Sequence, residues 1–529
     1  MSTLTKLSSW QKLCAHYRAI GEKSMDSWFA EDPQRFKNFS LETAGIFLDY
    51  SKNRISSETM QLLLELAGQQ QLQQRIDDLL SGKIVNHSEH RPALHSALRN
   101  SGSDPILVDG VDVMPAVRQT LNKVYELATA VRSRQYLGFS GRPIETILHF
   151  GIGGSDLGTL MAFEALAEYR ETSLRYHFFS HQDPLYVQKM LAGYDPATTL
   201  IIIASKSFTT TETLVNAEVA RKWLIAVAPN EQAALKQMFA VTAQINKALQ
   251  YGLPESQILP IWDWVGGRYS VWSAMSFVVV IAIGPERFSE FLAGAESMDH
   301  HFKQAPLKAN MPAILGLLDV WYNNLFCSAS RAIIPYARQL KFLPDHLQQV
   351  YMESLGKRVN QTGQTIDCET GYVIWGGTGT NTQHSFHQLL LQGTRWIPID
   401  FILVMENLPL VANGLAQSQV LMTGYTPAEN SEGLSSQQTI SGNRPSHTFL
   451  LDNITPYSLG TLLATYEHRI FVNSVIWDIN AFDQWGVERG KILAKQILSD
   501  ITQGPNVMHS YDNSTAGLLS CVKEKMKRI

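Results

Sequence analysis

Cysteine is scarce. Cys14, Cys327, Cys368 and Cys521 are the whole complement, and no Cys-x-x-Cys spacing occurs. Thiols this few and this far apart argue against a disulfide framework and for a reducing cytosol. Long apolar runs are missing too: the strongest, Phe277 to Ile283, falls far short of the roughly 20 residues that span a bilayer. Charge of one sign is lacking, since 44 basic against 48 acidic residues give a net charge of -4. That balance offers no electrostatic case for nucleic acid or an anionic membrane, so any bound anion must be held by local positive charge. Lys6 and Lys12 stand near the N-terminus without an apolar stretch between them and a small-residue cleavage site. No signal peptide is expected, and a cytoplasmic location is. There is no low-complexity segment and no short-period repeat.

What is present describes a globular chain. Hydrophobic residues at 45% against 17% charged supply ample core and exclude a disordered chain. A length of 529 residues exceeds one compact core, so two domains are expected. The first hundred or so residues read as helical, with Gln61 to Leu80 at helical spacing and free of proline. From about Val111 the pattern changes to strands feeding loops and helices. Thr146 to Phe150, Ser173 to Phe179 and Thr199 to Ala204 are the expected strands, the last nearly all apolar and so buried on both faces. A second set follows Phe277 to Gly284: Arg331 to Tyr336, Gly371 to Trp375 and Trp396 to Val404. Strands alternating with helices predict an α/β fold with parallel sheets covered on both sides.

Two loops suit a phosphate. Gly151-Ile-Gly-Gly-Ser155-Asp-Leu-Gly158 lies between a strand and a helix, where glycine lets amide groups approach an anion and the helix N-terminus adds a favourable dipole. A dinucleotide fingerprint fails because Asp156 occupies its last glycine position. Ser205-Lys-Ser-Phe-Thr-Thr210-Thr-Glu-Thr213 follows another buried strand and concentrates hydroxyls and one lysine as donors. It is not a Walker loop. An ordinary Ser/Thr helix cap is the plainer alternative for this one loop; two such loops at the carboxyl ends of parallel strands favour a ligand.

Several groups are candidates for proton transfer. Asp345 reads as the N-cap of a helix through Gln349 and Glu353 that ends near Gly356, with Gln349 and Glu353 on one face. A carboxylate beside an amide suits a base, although spacing alone is better explained by a solvated Glu353–Lys357 pair. Arg268 sits in Trp264-Val-Gly-Gly-Arg268-Tyr-Ser, where glycines let a guanidinium turn into a cleft; a surface arginine in a turn explains it equally. His384 follows a glycine-rich strand-to-helix loop, where function concentrates. Gln484 and Lys491 share a face if one helix covers both; by itself Lys491 reads as solvent-facing. His90 and His95 are five apart, so the metalloprotease spacing is absent and no metal is expected.

Together these segments resemble the glucose-6-phosphate isomerase (phosphoglucose isomerase) family. The resemblance runs from Ile84-x-Asn-x-x-Glu-x-Arg91-x-x-Leu-His95 through the segments at 151–158, 205–210 and 264–270, then Met352-Glu-Ser and Gly379-Thr-Asn-x-Gln-His384, to Phe482-Asp-Gln-Trp-Gly-Val-Glu-x-Gly-Lys491. It implies two sugar-isomerase-type α/β domains: a small one over 111–284 and a large one over 285–529 with C-terminal helices, the latter joined by a helical N-terminal segment over residues 1–110. It implies reversible conversion of glucose 6-phosphate to fructose 6-phosphate through an enediolate, with no cofactor. Glu353 matches the base moving the proton between C2 and C1, and Arg268 the cation beside the enediolate. His384 and Lys491 match groups assisting ring opening. Ser205, Lys206, Ser207 and Thr210 match phosphate contacts, Gly154 and Ser155 the sugar-contacting loop, and Gln349 and Gln484 further substrate contacts. A homodimer is implied, with His384 crossing to the partner's site. Ser207, Thr211, Ser276 and Leu355 depart from residues usual in the family, the last bearing on packing rather than on the base. A non-catalytic sugar-phosphate-binding regulator would keep the 205–210 loop without needing Glu353, Arg268, His384 and Lys491 together.

Overall fold

The computed structural model describes residues 4–427, 435–502 and 510–527. Residues 1–482 form one compact unit and 483–529 a second. The first unit is built on two large sheets, with a small two-stranded one at Leu107–Val108 and Val111–Asp112. Five strands form an all-parallel sheet in the order Arg175–Phe179, Thr146–Phe150, Thr199–Ala204, Met238–Thr242, Ile258–Pro260. Its central strands are buried along their whole length, as near-continuous apolar runs between helical layers require. The second sheet orders Ser40–Thr43, Ile46–Asp49, Ser446–Leu451, Ile399–Val404, Ser330–Pro335 and Val373–Gly376. Its last four strands are parallel, and the first two add an antiparallel hairpin.

That hairpin departs from the helical reading of the first hundred residues. The expected helix over Gln61 to Leu80 is two helices, Ser57–Gln69 and Leu72–Leu80. Between them Gln71 takes a left-handed conformation at φ 55°, which no helix continues through. The apolar run Phe277–Ile283 is a fully buried helix, ended by Gly284 at φ 88°, a backbone geometry glycine adopts without strain. Among the described residues no helix is long and apolar enough to cross a membrane.

Helix Pro456–Ile476 is the spine of the second sheet. A capping box between Thr455 and Ser458 starts it, and it packs against helices Pro285–Gln304 and Met311–Val320. Its Arg469 reaches into a buried charge network. The guanidinium donates to both oxygens of Asp319 at 2.6 and 2.7 Å and to Asp400 at 2.6 Å. Arg331 meets the same two carboxylates at 2.8 and 2.7 Å, and His447 and Tyr466 bond Asp400. The network ties three strands and two helices into one body.

Candidate active site

Both phosphate-suited loops lie at carboxyl ends of strands in the parallel sheet. The loop after Thr146–Phe150 makes a short turn at Gly153–Ser155 before helix Leu157–Ala165. A Cβ on Gly154 would stand 2.3 Å from the carbonyl carbon of Gly267 and 2.6 Å from the Arg268 nitrogen. Only glycine permits that contact, and through it the loop lies directly on the turn that carries Arg268.

The second loop leads into helix Thr211–Ile225. Thr210 is its N-cap residue, yet its side chain makes no cap bond; instead its hydroxyl accepts from Ser205 at 3.1 Å. Thr209 donates to Ser207 at 2.9 Å. The hydroxyls thus pair with one another, not with the helix end as a simple cap would have them. Lys206 bends toward the turn that carries Arg268, where its ammonium donates to the carbonyls of Asp263 at 2.8 Å and Val265 at 2.7 Å. Burial, reinforced by the positive charge of Arg91, pushes its pKa down to about 8.

Arg268 is buried, its side chain 1% exposed, so it is no surface arginine. Ser354, Ala481 and Glu353 help fix it: Nε donates to Ser354 Oγ at 2.7 Å, Nη2 to the Ala481 carbonyl at 2.5 Å, and Nη1 to Glu353 Oε1 at 2.9 Å. Tyr269, the next residue, places its hydroxyl 2.9 Å from the same Ser354 oxygen. The other Glu353 oxygen accepts from Gln349 Nε2 at 3.0 Å. The Glu353 side chain keeps 25% exposure, enough for a ligand to reach it. Both residues ride on helix Leu343–Leu355, one turn apart. The helix begins earlier than the sequence predicts: Phe342 holds the N-cap position and Pro344 lies in the first turn, so Asp345 is already inside. Leu355 is fully buried in the core, turned away from the site.

Gln349, Glu353, Arg268, Gly154 and the 205–210 loop are therefore brought together, the last through Lys206. Ser155 closes the glycine turn with its amide on the Ile152 carbonyl at 3.2 Å. His384 lies elsewhere, exposed at the end of the short helix Gly379–Gln383. Gln484 and Lys491 belong to the second compact unit. There a 3₁₀ turn spans Trp485–Val487 and the helix starts only at Glu488, so one helix does not cover both residues. Lys491 pairs with Glu488 at 2.8 Å. Among the described residues no cluster of three metal-ligating side chains occurs. Ser354 joins the site without having been a candidate from its pattern; its place in Met352-Glu-Ser, directly after Glu353, is the one signal the sequence holds for it.

A parallel α/β fold thus seats a carboxylate against a buried guanidinium, beside hydroxyl-rich and glycine loops, an arrangement suited to proton transfer on an anionic ligand. The chain belongs to the phosphoglucose isomerase family, whose sequence model matches residues 49–519. The glucose-6-phosphate isomerase of Coxiella burnetii is 44% identical over 540 residues, covering 98% of each chain. Glucose-6-phosphate isomerase 2 of Chromobacterium violaceum is 44% identical over 535 residues, covering 98% of this chain and 97% of its own. The crystal structure of a glucose-6-phosphate isomerase from Chlamydia trachomatis superposes with a TM-score of 0.86 at 29% identity, over 99% of both chains.

Proposed function

We propose that the chain interconverts glucose 6-phosphate and fructose 6-phosphate, opening the sugar ring and passing one proton between C2 and C1. Glu353 takes the proton from C2 and returns it to C1 on the same face. Charge then grows on the enediolate oxygens, and Arg268 is the cation beside them. General base catalysis supplies about 10² to 10⁴-fold, less than enzymes commonly achieve. The remainder comes from electrostatic stabilisation of the enediolate and from positioning by the phosphate grip. The substrate and product are isomers, so no electrons are gained or lost and no redox cofactor enters the balance.

The observation that supports this reading most is the pairing of Glu353 with buried Arg268 and with Gln349. Ser205, Lys206, Ser207 and Thr210 hold the phosphate, Gly154 and Ser155 meet the sugar, and Gln349 and Gln484 add contacts. His384 and Lys491 assist ring opening. The exposure of His384 suits a group offered to a partner subunit's site in a homodimer. The working division is a small domain over 111–284 and a large one over 285–529, completed by 1–110, in the cytoplasm.

The test is fructose 6-phosphate formation from glucose 6-phosphate by purified chain with a chelator present. Turnover is expected to persist. A folded protein that binds the sugar phosphate without converting it would overturn the assignment.

A further inference from the structure

Beneath the glycine loop lies a histidine that no step above uses. His149, on strand Thr146–Phe150, is fully buried, with its ring tilted against Phe178 at 5.1 Å. Its Nε2 stands 3.0 Å from the Ser155 carbonyl. A carbonyl oxygen only accepts, so Nε2 must carry the proton. Burial pushes the imidazole pKa down and outweighs the pull of nearby Asp156, which keeps the ring neutral and leaves this one N–H as its donor. Nδ1 has no hydrogen-bond partner among the described residues, so the Ser155 carbonyl is the ring's polar anchor there.

Gly151 shows how closely loop and histidine are fitted. A Cβ there would stand 2.6 Å from the Ser155 oxygen and 2.9 Å from His149 Nε2. Glycine leaves open the space through which the hydrogen bond passes. Asp156, the next residue along, is itself buried and accepts from Ser180 at 2.7 Å. On its other side the loop is wedged at Gly154 against Gly267 and Arg268. The loop is pinned from below by His149 and from above by the Arg268 turn, so a shift of the Ser155 carbonyl moves the residues between them.

We propose that His149 is a positioning residue for the isomerase reaction, its Nε2–H setting the height of the Gly151–Ser155 loop and hence the place of Ser155 against the sugar phosphate. The role rests on the isomerase reading above and adds to it a residue that does not touch substrate. Losing one buried donor is expected to weaken ground-state binding by about tenfold.

The experiment compares full-length wild type with His149→Phe, which fills the space without a donor, and His149→Gln, whose amide reaches far enough to donate. Steady-state kcat and KM for glucose 6-phosphate are read beside thermal unfolding. The Phe variant is expected to raise KM about tenfold with a smaller change in kcat, and Gln to return KM to within about threefold of wild type. A purely structural role would lower the unfolding temperature without separating KM from kcat and without recovery by Gln. Should the Phe variant not fold, His149→Asn, too short to reach the carbonyl, takes its place against Gln. Equal KM values for the donor-keeping and donor-lacking variants overturn the role while wild type remains active. An inactive wild type instead overturns the isomerase reading, and the role with it.

Discussion

The molecule uses arginine–carboxylate contacts in two opposite ways. Around Asp319 and Asp400 every charged group is fully buried, and two guanidiniums share two carboxylates. Burial alone would raise the Asp400 pKa, but Arg469 and Arg331 outweigh it and hold the carboxyl well below its ordinary range. The Asp400 carboxylate therefore stays charged at ordinary pH. At Arg268–Glu353 only the guanidinium is locked, by Ser354 and the Ala481 carbonyl as well as by the carboxylate. Glu353 stays partly open to solvent and hangs on one arginine and one amide. The difference teaches how the two settings are divided: the cation is held on several sides, and the carboxylate proposed to exchange a proton is left accessible.

Exchanging the two kinds of pair tests that contrast. Glu353→Gln removes the proposed base while keeping an acceptor for Arg268. It is expected to lower kcat by about 10² to 10⁴-fold with sugar-phosphate binding retained, read by coupled assay and direct titration. Its unfolding should shift less than that of the core variant, because Glu353 is partly exposed to solvent. Asp400→Asn should show the reverse. Uncompensated arginine charge in the core is expected to cost about 3–5 kcal/mol, seen in denaturant unfolding, while the folded fraction keeps its KM. A variant of Asp400 that lost turnover without losing stability would erase the distinction.

A backbone contact offers the next smaller effect. Gly154→Ala would drive a methyl into the Gly267 carbonyl carbon at 2.3 Å and its oxygen at 2.5 Å, both main-chain atoms that cannot rotate away. The loop or the Arg268 turn must move instead. A misplacement approaching 1 Å is expected to cost up to about 10²-fold in kcat/KM. Gly68→Ala, where a Cβ meets nothing within 4 Å, is the silent control for activity.

Much of this is legible in the residues themselves, for identifiable reasons. Strand Thr199–Ala204 announces itself because a strand buried on both faces needs an unbroken apolar run. The hairpin Ser40–Asp49 does not, since four-residue strands with half-exposed faces lack a periodic signal. The break at Gln71 is marked only by Gly68, which still lies inside the first helix while Gln71 itself takes the left-handed conformation, so glycine does not stand where the chain turns. Pro344 is a better start signal for the Glu353 helix than Asp345, because proline fits the first turn. Spacing alone points Glu353 toward solvent. What decides its setting is Arg268, 85 residues away in the chain, a contact no local pattern contains. His149 likewise looks like strand filler until Ser155 folds back over it.

Lys206 lies between the two regimes, and its pH response is the finest test of the contrast. Unlike the core arginines it is half-buried and, among the described residues, has no carboxylate hydrogen-bonded to it; its ammonium rests on two carbonyls. Burial first, and Arg91 second, bring its pKa from 10.5 to about 8. Below pH 8 the group is charged in both folded and unfolded chains. Between about 8 and 10.5 the folded amine is neutral while the unfolded chain still binds the proton, so this residue's contribution to stability rises with pH. Substrate binding should run the other way. A neutral amine keeps two N–H groups for the Asp263 and Val265 carbonyls, so the latch survives and only the charge facing an anionic ligand is lost. KM for glucose 6-phosphate is expected to rise about threefold as pH climbs through 8, a modest fraction of a charge-assisted contact, with kcat nearly level. Lys206→Arg, which does not titrate in this range, should flatten the rise. A KM that still climbs near pH 8 in that variant would assign the titration to another group and place Lys206 with the permanently charged core.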